Sequence, residues 1–459
     1  DETARSHIDR LHWLAKLSAH DSLRHSNPKL PDMKRSSLPI TFLRRVKRTV
    51  VRQYVSLRHG LNRSKEYSVA LPDGYGHGHA VIKIIVPDMP GHDHFGFSEH
   101  VLDSNGHSTR TVIATTTGAF AVSPDLGEHW RSIRVRGYEA YDFIHVHSLG
   151  NSEYLAQAKL ARLERDRRVP VDMLVLDDKG RVLDKKPAQG PRWHSCRAVH
   201  MARGTLMYAE YPANKDDNRS ASRVFRSRDR GRSWDVVFEQ SSEQIRHFHF
   251  LQPRPDSPGE WWLTSGDAPG QSKIWVTKDD GDTWSDVTAD SPLTIEGTKY
   301  PRSIFRLTDL VWSGSEVIWG TDDPLPGMGK QAGARVFRSQ LGPTLMPRLV
   351  GQTRWAIRSI VDLGDFLVVF SQASNRPETP PAESRPSVLL MPKREMESAP
   401  KLFRLLEIEN FATKPLAGKG FTYSRASRRA VDGTFFTYRA PYQGLPTPQQ
   451  ILKWQISFR

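Results

Sequence analysis

A single cysteine, Cys196, stands in 459 residues, so no internal disulfide can form and no second thiol exists to share a metal. No run of uncharged apolar residues reaches the length a membrane-spanning helix needs. The chain opens at Asp1 without Met, as a processed or trimmed chain would, and no secretory signal is left to read. One cysteine suits either redox compartment; periplasmic or secreted placement is favoured over cytoplasmic. Aliphatic and aromatic residues make up only 37% of the chain, yet it holds 12 Trp and 12 Tyr, a balance that fits many short, half-buried strands.

Charge is one-sided. A formal net charge of +15 favours an anionic partner: acidic polysaccharide, a membrane surface or nucleic acid. Residues 1 to about 60 stand apart, with a short helix expected over His7–Leu23 and a second over Ile40–Leu57. The second carries Leu43, Val46, Val50, Tyr54 and Leu57 as an apolar stripe among arginines and lysines. Such a helix packs its stripe on a core or lies on an anionic membrane; stacking aromatics are too few to favour nucleic acid.

The remainder repeats. Ser123-Pro124-Asp125-Leu126-Gly127-Glu128-His129-Trp130 returns as Ser227-Arg228-Asp229-Arg230-Gly231-Arg232-Ser233-Trp234 and as Thr277-Lys278-Asp279-Asp280-Gly281-Asp282-Thr283-Trp284, each after a strand-like run. The Asp accepts backbone N–H bonds in a tight turn, the Gly takes a conformation that a Cβ forbids, and the Trp anchors the returning strand. The interval from Asp125 to Asp229 is about twice that from Asp229 to Asp279. A worn copy, Leu176-Asp177-Asp178-Lys179-Gly180, fills the gap, and counting from Asp178 makes every interval about 50 residues. Strand-like echoes follow at Val336–Ser339 and Val388–Met391. Short strands at this period predict an all-β propeller over residues 61–459, with seven blades, or six, and with an early strand closing the last blade.

The octapeptides resemble the Asp-boxes, or BNR repeats, of sialidase-like propellers and related carbohydrate-active families. That resemblance implies that each box joins the third and fourth strands of a blade, and that it is a structural turn rather than a catalytic one. Phased this way, inner strands fall near Tyr141–Ser148, Trp193–Met201, Ile245–Leu251, Ser303–Trp312, Trp355–Val361 and Phe421–Val431. A sialidase of this kind carries an Arg-Ile-Pro element before its first box, and none occurs here.

The inner strands bring unusual chemistry to the channel. They carry His145 and His147; His194, Arg197 and His200; Arg246, His247 and His249; Arg302 and Arg306; Arg358; and Arg425, Arg428 and Arg429. Guanidinium groups bind carboxylate or sulfate bidentately. In three blades the next strand runs into an acid, giving Glu210, Asp267 and Asp322.

Two cleavage schemes use this set on a uronate-containing polysaccharide or oligosaccharide. In β-elimination, His145, His247 or His249 removes a proton with Tyr208 or Tyr211, while arginines Arg197, Arg246, Arg306 and Arg358 hold the carboxylate. In hydrolysis, Glu210 acts with an Asp. Elimination is favoured, and a non-catalytic glycan-binding or assembly propeller is the alternative. No cofactor is named by any motif, and the four H-x-H pairs at His77/His79, His92/His94, His145/His147 and His247/His249 do not by themselves assign a metal.

Overall fold

The computed structural model describes residues 64–71, 78–85, 95–103, 105–160, 171–187, 200–210, 221–267, 270–322, 333–353, 355–372, 387–393, 403–407, 421–426, 430–441 and 450–459. Chain contacts divide the protein into Asp1–Lys65 and Glu66–Arg459. The two expected N-terminal helices lie outside the described residues.

Seven antiparallel sheets of four or five strands make a seven-bladed β-propeller, and the described residues contain no α-helix. Blade one runs Phe95–Leu102, Ser108–Thr116, Ala119–Ser123, Arg131–Arg134, from the innermost strand outward. Blade two follows with Tyr141–Gly150, Glu153–Leu160, Val171–Asp177 and Val182–Pro187, and blade three with His200–Ala202, Thr205–Ala209, Ala221–Ser227 and Asp235–Ser241. Blade four is Phe248–Pro253, Trp261–Ser265, Lys273–Thr277 and Ser285–Asp286. Blade five is Leu310–Ser313, Glu316–Gly320, Ala334–Gln340 and Arg348–Thr353; blade six is Ala356–Asp362, Phe366–Gln372, Ser387–Pro392 and Phe403–Glu407.

Both ends of the propeller chain meet in blade seven. Phe421–Ala426, Thr434–Pro441 and Gln450–Phe458 pair outward to His79–Ile85, with Ser64–Ala70 as a fifth strand. The early strand thus seals the last blade by covering the outer edge of Gln450–Phe458. Large side chains fill the spaces between blades, as where Val368 and Phe370 of blade six meet Phe435 and Trp454 of blade seven.

The three octapeptides form one structure. In the third, Thr277 Oγ1 donates to Asp279 Oδ1 (2.6 Å) and accepts from Gly281 N (2.9 Å), Asp279 Oδ1 accepts from Thr283 N (2.8 Å), and Trp284 Nε1 donates to the Gly281 carbonyl (3.1 Å). Equivalent bonds recur at Ser227, Asp229, Gly231 and Trp234, and at Ser123, Asp125, Gly127 and Trp130. Gly127, Gly231 and Gly281 have φ of 81°, 84° and 92°, which disfavours any side chain there. Each turn joins third and fourth strands. The worn copy is shifted by one residue: Asp177, not Asp178, accepts the turn's N–H bonds, from Lys179 (2.9 Å) and Arg181 (2.8 Å).

The expected inner strand Ser303–Trp312 is corrected. Arg302–Phe305 is a 3₁₀ turn and the strand starts at Leu310. Pro301 is extended and donates no hydrogen bond, and Trp319 Nε1 donates to the Ile304 carbonyl (2.8 Å), fixing the turn against blade five.

His100, on the innermost strand of blade one, packs edge-on against Phe436 of blade seven, with ring centroids 5.7 Å apart, and its Nδ1 meets the Thr109 carbonyl at 2.8 Å. Burial lowers its pKa from 6.5 to about 4, against that carbonyl's upward pull. The unfolded chain therefore binds this proton at a higher pH than the folded one. The stability held above pH 6.5 falls as pH drops toward 4, by about 3 kcal/mol at most. In urea titrations between these values, His100→Gln should lose about one proton of linked uptake; an unchanged slope would remove His100 from the transition.

Candidate functional site at the ends of blades four to six

On a blade, the start of the innermost strand lies beside the end of the second strand, because the pair is antiparallel. Blade four places His247 and His249 at the first position and Asp267 just beyond the second, with Phe248 opposite Ser265. The ladder shifts between Phe248 and Phe250, a bulge at His249. Asp267 itself holds φ of 90°, an uncommon conformation for a residue with a Cβ.

Asp267 collects its neighbours. Its Oδ2 lies 2.9 Å from His247 Nε2 and 3.2 Å from an Arg246 guanidinium nitrogen, and its Oδ1 lies 2.8 Å from Arg306 Nη2 and 3.3 Å from His249 Nε2. The two Nε2 atoms are 3.1 Å apart. Arg306 Nε reaches Asp322 Oδ2 at 3.6 Å, and Arg358 also pairs with Asp322. The result is an alternating chain, Arg246–Asp267–Arg306–Asp322–Arg358, laid across three blades.

Both carboxylates are nearly buried, while the three arginine side chains stay partly exposed. Burial alone would raise the Asp267 carboxyl, but hydrogen bonds from His247 and His249 outweigh it and hold the group far below the usual carboxylate range. Burial lowers His247, against its bond to Asp267. With neutral imidazoles the five-membered chain carries one net positive charge, and each guanidinium has more N–H donors than its carboxylate can use.

Seven sequence-predicted residues are thus brought together: Arg246, His247, His249, Asp267, Arg306, Asp322 and Arg358. Others fall elsewhere. Glu210 holds the equivalent place on blade three, but its Oε2 accepts from Arg223 N (2.8 Å) of its own blade. His145 and His147 stack on each other in blade two, with centroids 6.3 Å apart. Burial and then the Glu210 charge push the Tyr208 hydroxyl well above its usual range. His194, Arg197, Tyr211, Arg428 and Arg429 lie outside the described residues.

One residue of the site, Gly266, and one that holds the strand carrying Arg358, Asp309, are not anticipated from sequence. A Cβ at Gly266 would sit 2.7 Å from Arg306 Cγ and 3.0 Å from His249 Cε1, so only glycine lets the backbone before Asp267 come this close. Asp309 joins blade five to blade six, its Oδ2 accepting from Ser359 Oγ (2.8 Å) and Ile360 N (2.9 Å). A lone Asp before a strand was its only signal.

No family model and no curated protein matches the chain. Among solved structures it resembles YCF48 from Cyanidioschyzon merolae, at 9% identity and a TM-score of 0.46, over 81% of this chain and 98% of that one. A chain of the mitotic checkpoint complex gives 9% identity and 0.48, over 94% and 98%. The Niastella koreensis GH74 enzyme gives 12% and 0.41, over 66% of this chain and 45% of that one. At such identities the likeness concerns the fold alone.

Proposed function

We propose that the propeller acts on an acidic, uronate-containing polysaccharide at the Arg246–Asp267–Arg306–Asp322–Arg358 chain, and that it cleaves by elimination. The turn bonds shared by the three octapeptides support the sialidase-like, Asp-box reading of the blades. Partly exposed guanidinium groups, pinned by buried carboxylates, suit a row of sugar carboxylates with little ordering left to do on binding.

The observation that carries the choice of chemistry is the Asp267 carboxylate, shared between two imidazoles and two guanidinium groups. So held, it stays ionised and has no proton to lend to a glycosidic oxygen, as hydrolysis by a carboxylic acid requires. In elimination a neutral histidine takes the proton next to the sugar carboxylate, the electron pair forms the new double bond, and the glycosidic oxygen leaves and takes up that proton from the histidinium, which restores the base. Arginine stabilises the charge that builds on the carboxylate during that step. His247 and His249 are the bases of this scheme.

Their depth favours a second reading. The two residues are 2% and 3% exposed, which fits a platform that binds the polysaccharide without cutting it. Incubation with a panel of uronate polysaccharides separates the readings. Elimination yields unsaturated ends that absorb in the ultraviolet and that His247→Ala removes. New reducing ends without absorbance would overturn elimination in favour of hydrolysis, and retention on the polysaccharide with neither signal would establish the platform. No retention and no cleavage on any uronate polymer would sink both.

A further inference from the structure

We infer that His247, His249 and Asp267 form a binding site for one first-row divalent transition-metal ion, with Zn²⁺ as its simplest occupant. The inference does not rest on the glycan reading; an ion held by both Nε2 atoms, with Nδ1 protonated, leaves neither ring a base, so the elimination scheme belongs to the metal-free chain.

The distances suit an ion. Nitrogen ligands at about 2.0–2.1 Å from zinc, subtending tetrahedral or right angles there, lie about 2.9–3.4 Å from each other. His247 Nε2 and His249 Nε2 are 3.1 Å apart, and His247 Nε2 is 2.9 Å from Asp267 Oδ2. One side chain after another on a strand would point to opposite faces; two residues apart, and with the bulge at His249, both rings aim the same nitrogen at one point. The three residues place one ligand atom each within 4.8 Å of one another.

The donor types narrow the choice. Two imidazole nitrogens and one carboxylate oxygen suit zinc, iron or nickel; calcium and magnesium prefer all-oxygen shells, and copper(I) prefers sulfur. Three protein ligands leave at least one coordination position for water or another small ligand.

The surroundings fix the carboxylate as metal sites generally do. Arg306 holds Oδ1 at 2.8 Å and Arg246 holds Oδ2 at 3.2 Å, leaving each oxygen a further lone pair. Gly266 lets the backbone of Asp267 approach His249 and Arg306 closely enough to keep this arrangement. As the ion binds, each neutral ring shifts its single proton from Nε2 to Nδ1, by exchange with solvent, so that both Nε2 lone pairs face the ion.

The test uses the full chain, stripped with a chelator and re-equilibrated with zinc chloride. Elemental analysis after gel filtration should find one zinc per chain, and zinc should raise the thermal unfolding midpoint by several degrees, reversibly on chelation. Cobalt(II) in place of zinc should give visible absorption bands from a site with nitrogen ligands. His247→Gln and His249→Gln, checked for folding by circular dichroism, should bind zinc at least about a hundredfold more weakly. Absence of stoichiometric zinc in the wild-type chain would overturn the assignment. Folded glutamine variants that bind zinc as tightly as wild type would do the same, by moving the ion to another histidine pair. Should both variants fail to fold, the cobalt spectrum decides: bands of a site containing nitrogen uphold it, and the spectrum of the hydrated ion refutes it.

Discussion

Asp267→Asn is expected to weaken binding of uronate polysaccharide at least about a hundredfold and to lower folding stability by about 3 kcal/mol. The substitution changes almost no volume, so packing stays as it was. What changes is the match of donors to acceptors. Four groups aim at the two carboxylate oxygens: His247, His249, Arg246 and Arg306. An amide gives them one oxygen and one NH₂, so at least one donor meets another donor. Loss of the negative charge also leaves Arg246 and Arg306 repelling each other, and both then shift away from the positions that make a row of cation sites. The stability cost sits at the low end of the range for a broken buried pair, because both arginine side chains are partly exposed. Asp256→Asn is the matched control: it removes the charge from an exposed pair with His107 at 2.7 Å, in the loop at the far end of the Phe248–Pro253 and Trp261–Ser265 hairpin from the cluster, and should cost no more than about 0.5 kcal/mol. Affinity electrophoresis in uronate polymer and urea unfolding read the two effects. Equal mobility of Asp267→Asn and wild type in the polymer would remove the cluster from the binding site.

Why the blades could be read before the structure, and the charge chain only in part, follows from the range of the interactions. Every bond that shapes the turn at Thr277 lies within eight residues, from Thr277 Oγ1 to the Trp284 indole, so the turn is written in one stretch of sequence. Where that local set degenerates, the register slips, as at Asp177. The start of blade five was misplaced for a similar reason: the 3₁₀ turn Arg302–Phe305 depends on Trp319, a partner on the next strand, and spacing from a box does not record it. Residue types at the site were legible, because arginine, histidine and aspartate are rare choices for inner strands. Their pairing was not. Arg306 could have met any acid around the ring; it bridges Asp267 of blade four and Asp322 beside it because its backbone carbonyl accepts from Asp322 N (2.8 Å). Glu210 shows the opposite case, an acid in the equivalent place that caps its own blade.

The largest effect on the fold is expected from Trp454→Ala, at about 3–5 kcal/mol. Trp454 lies on Gln450–Phe458, the strand that joins the chain's last hairpin to His79–Ile85, and it stands opposite Phe435 on one side and Ile84 on the other. The indole is fully buried, stacked on Phe435 with centroids 5.8 Å apart and edge-on to Phe370 of blade six at 5.5 Å, while its Nε1 donates to Thr437 Oγ1 at 2.8 Å. Alanine removes the ring from two aromatic contacts, opens a cavity at the junction of blades six and seven, and takes a buried hydroxyl's partner. Trp454→Phe should restore most of the packing and leave only the hydroxyl unserved, a cost of about 1–2 kcal/mol. Trp130→Ala makes the useful contrast. Its indole is part-exposed and bonds to the Gly127 carbonyl within its own turn, so its loss should cost clearly less. If closure of the ring through this strand holds the seven blades together, urea midpoints must fall in the order wild type, Trp454→Phe, Trp454→Ala, with Trp130→Ala above the last. A Trp130→Ala midpoint below that of Trp454→Ala would mean that the turns, and not the sealed seam, set the stability of the propeller.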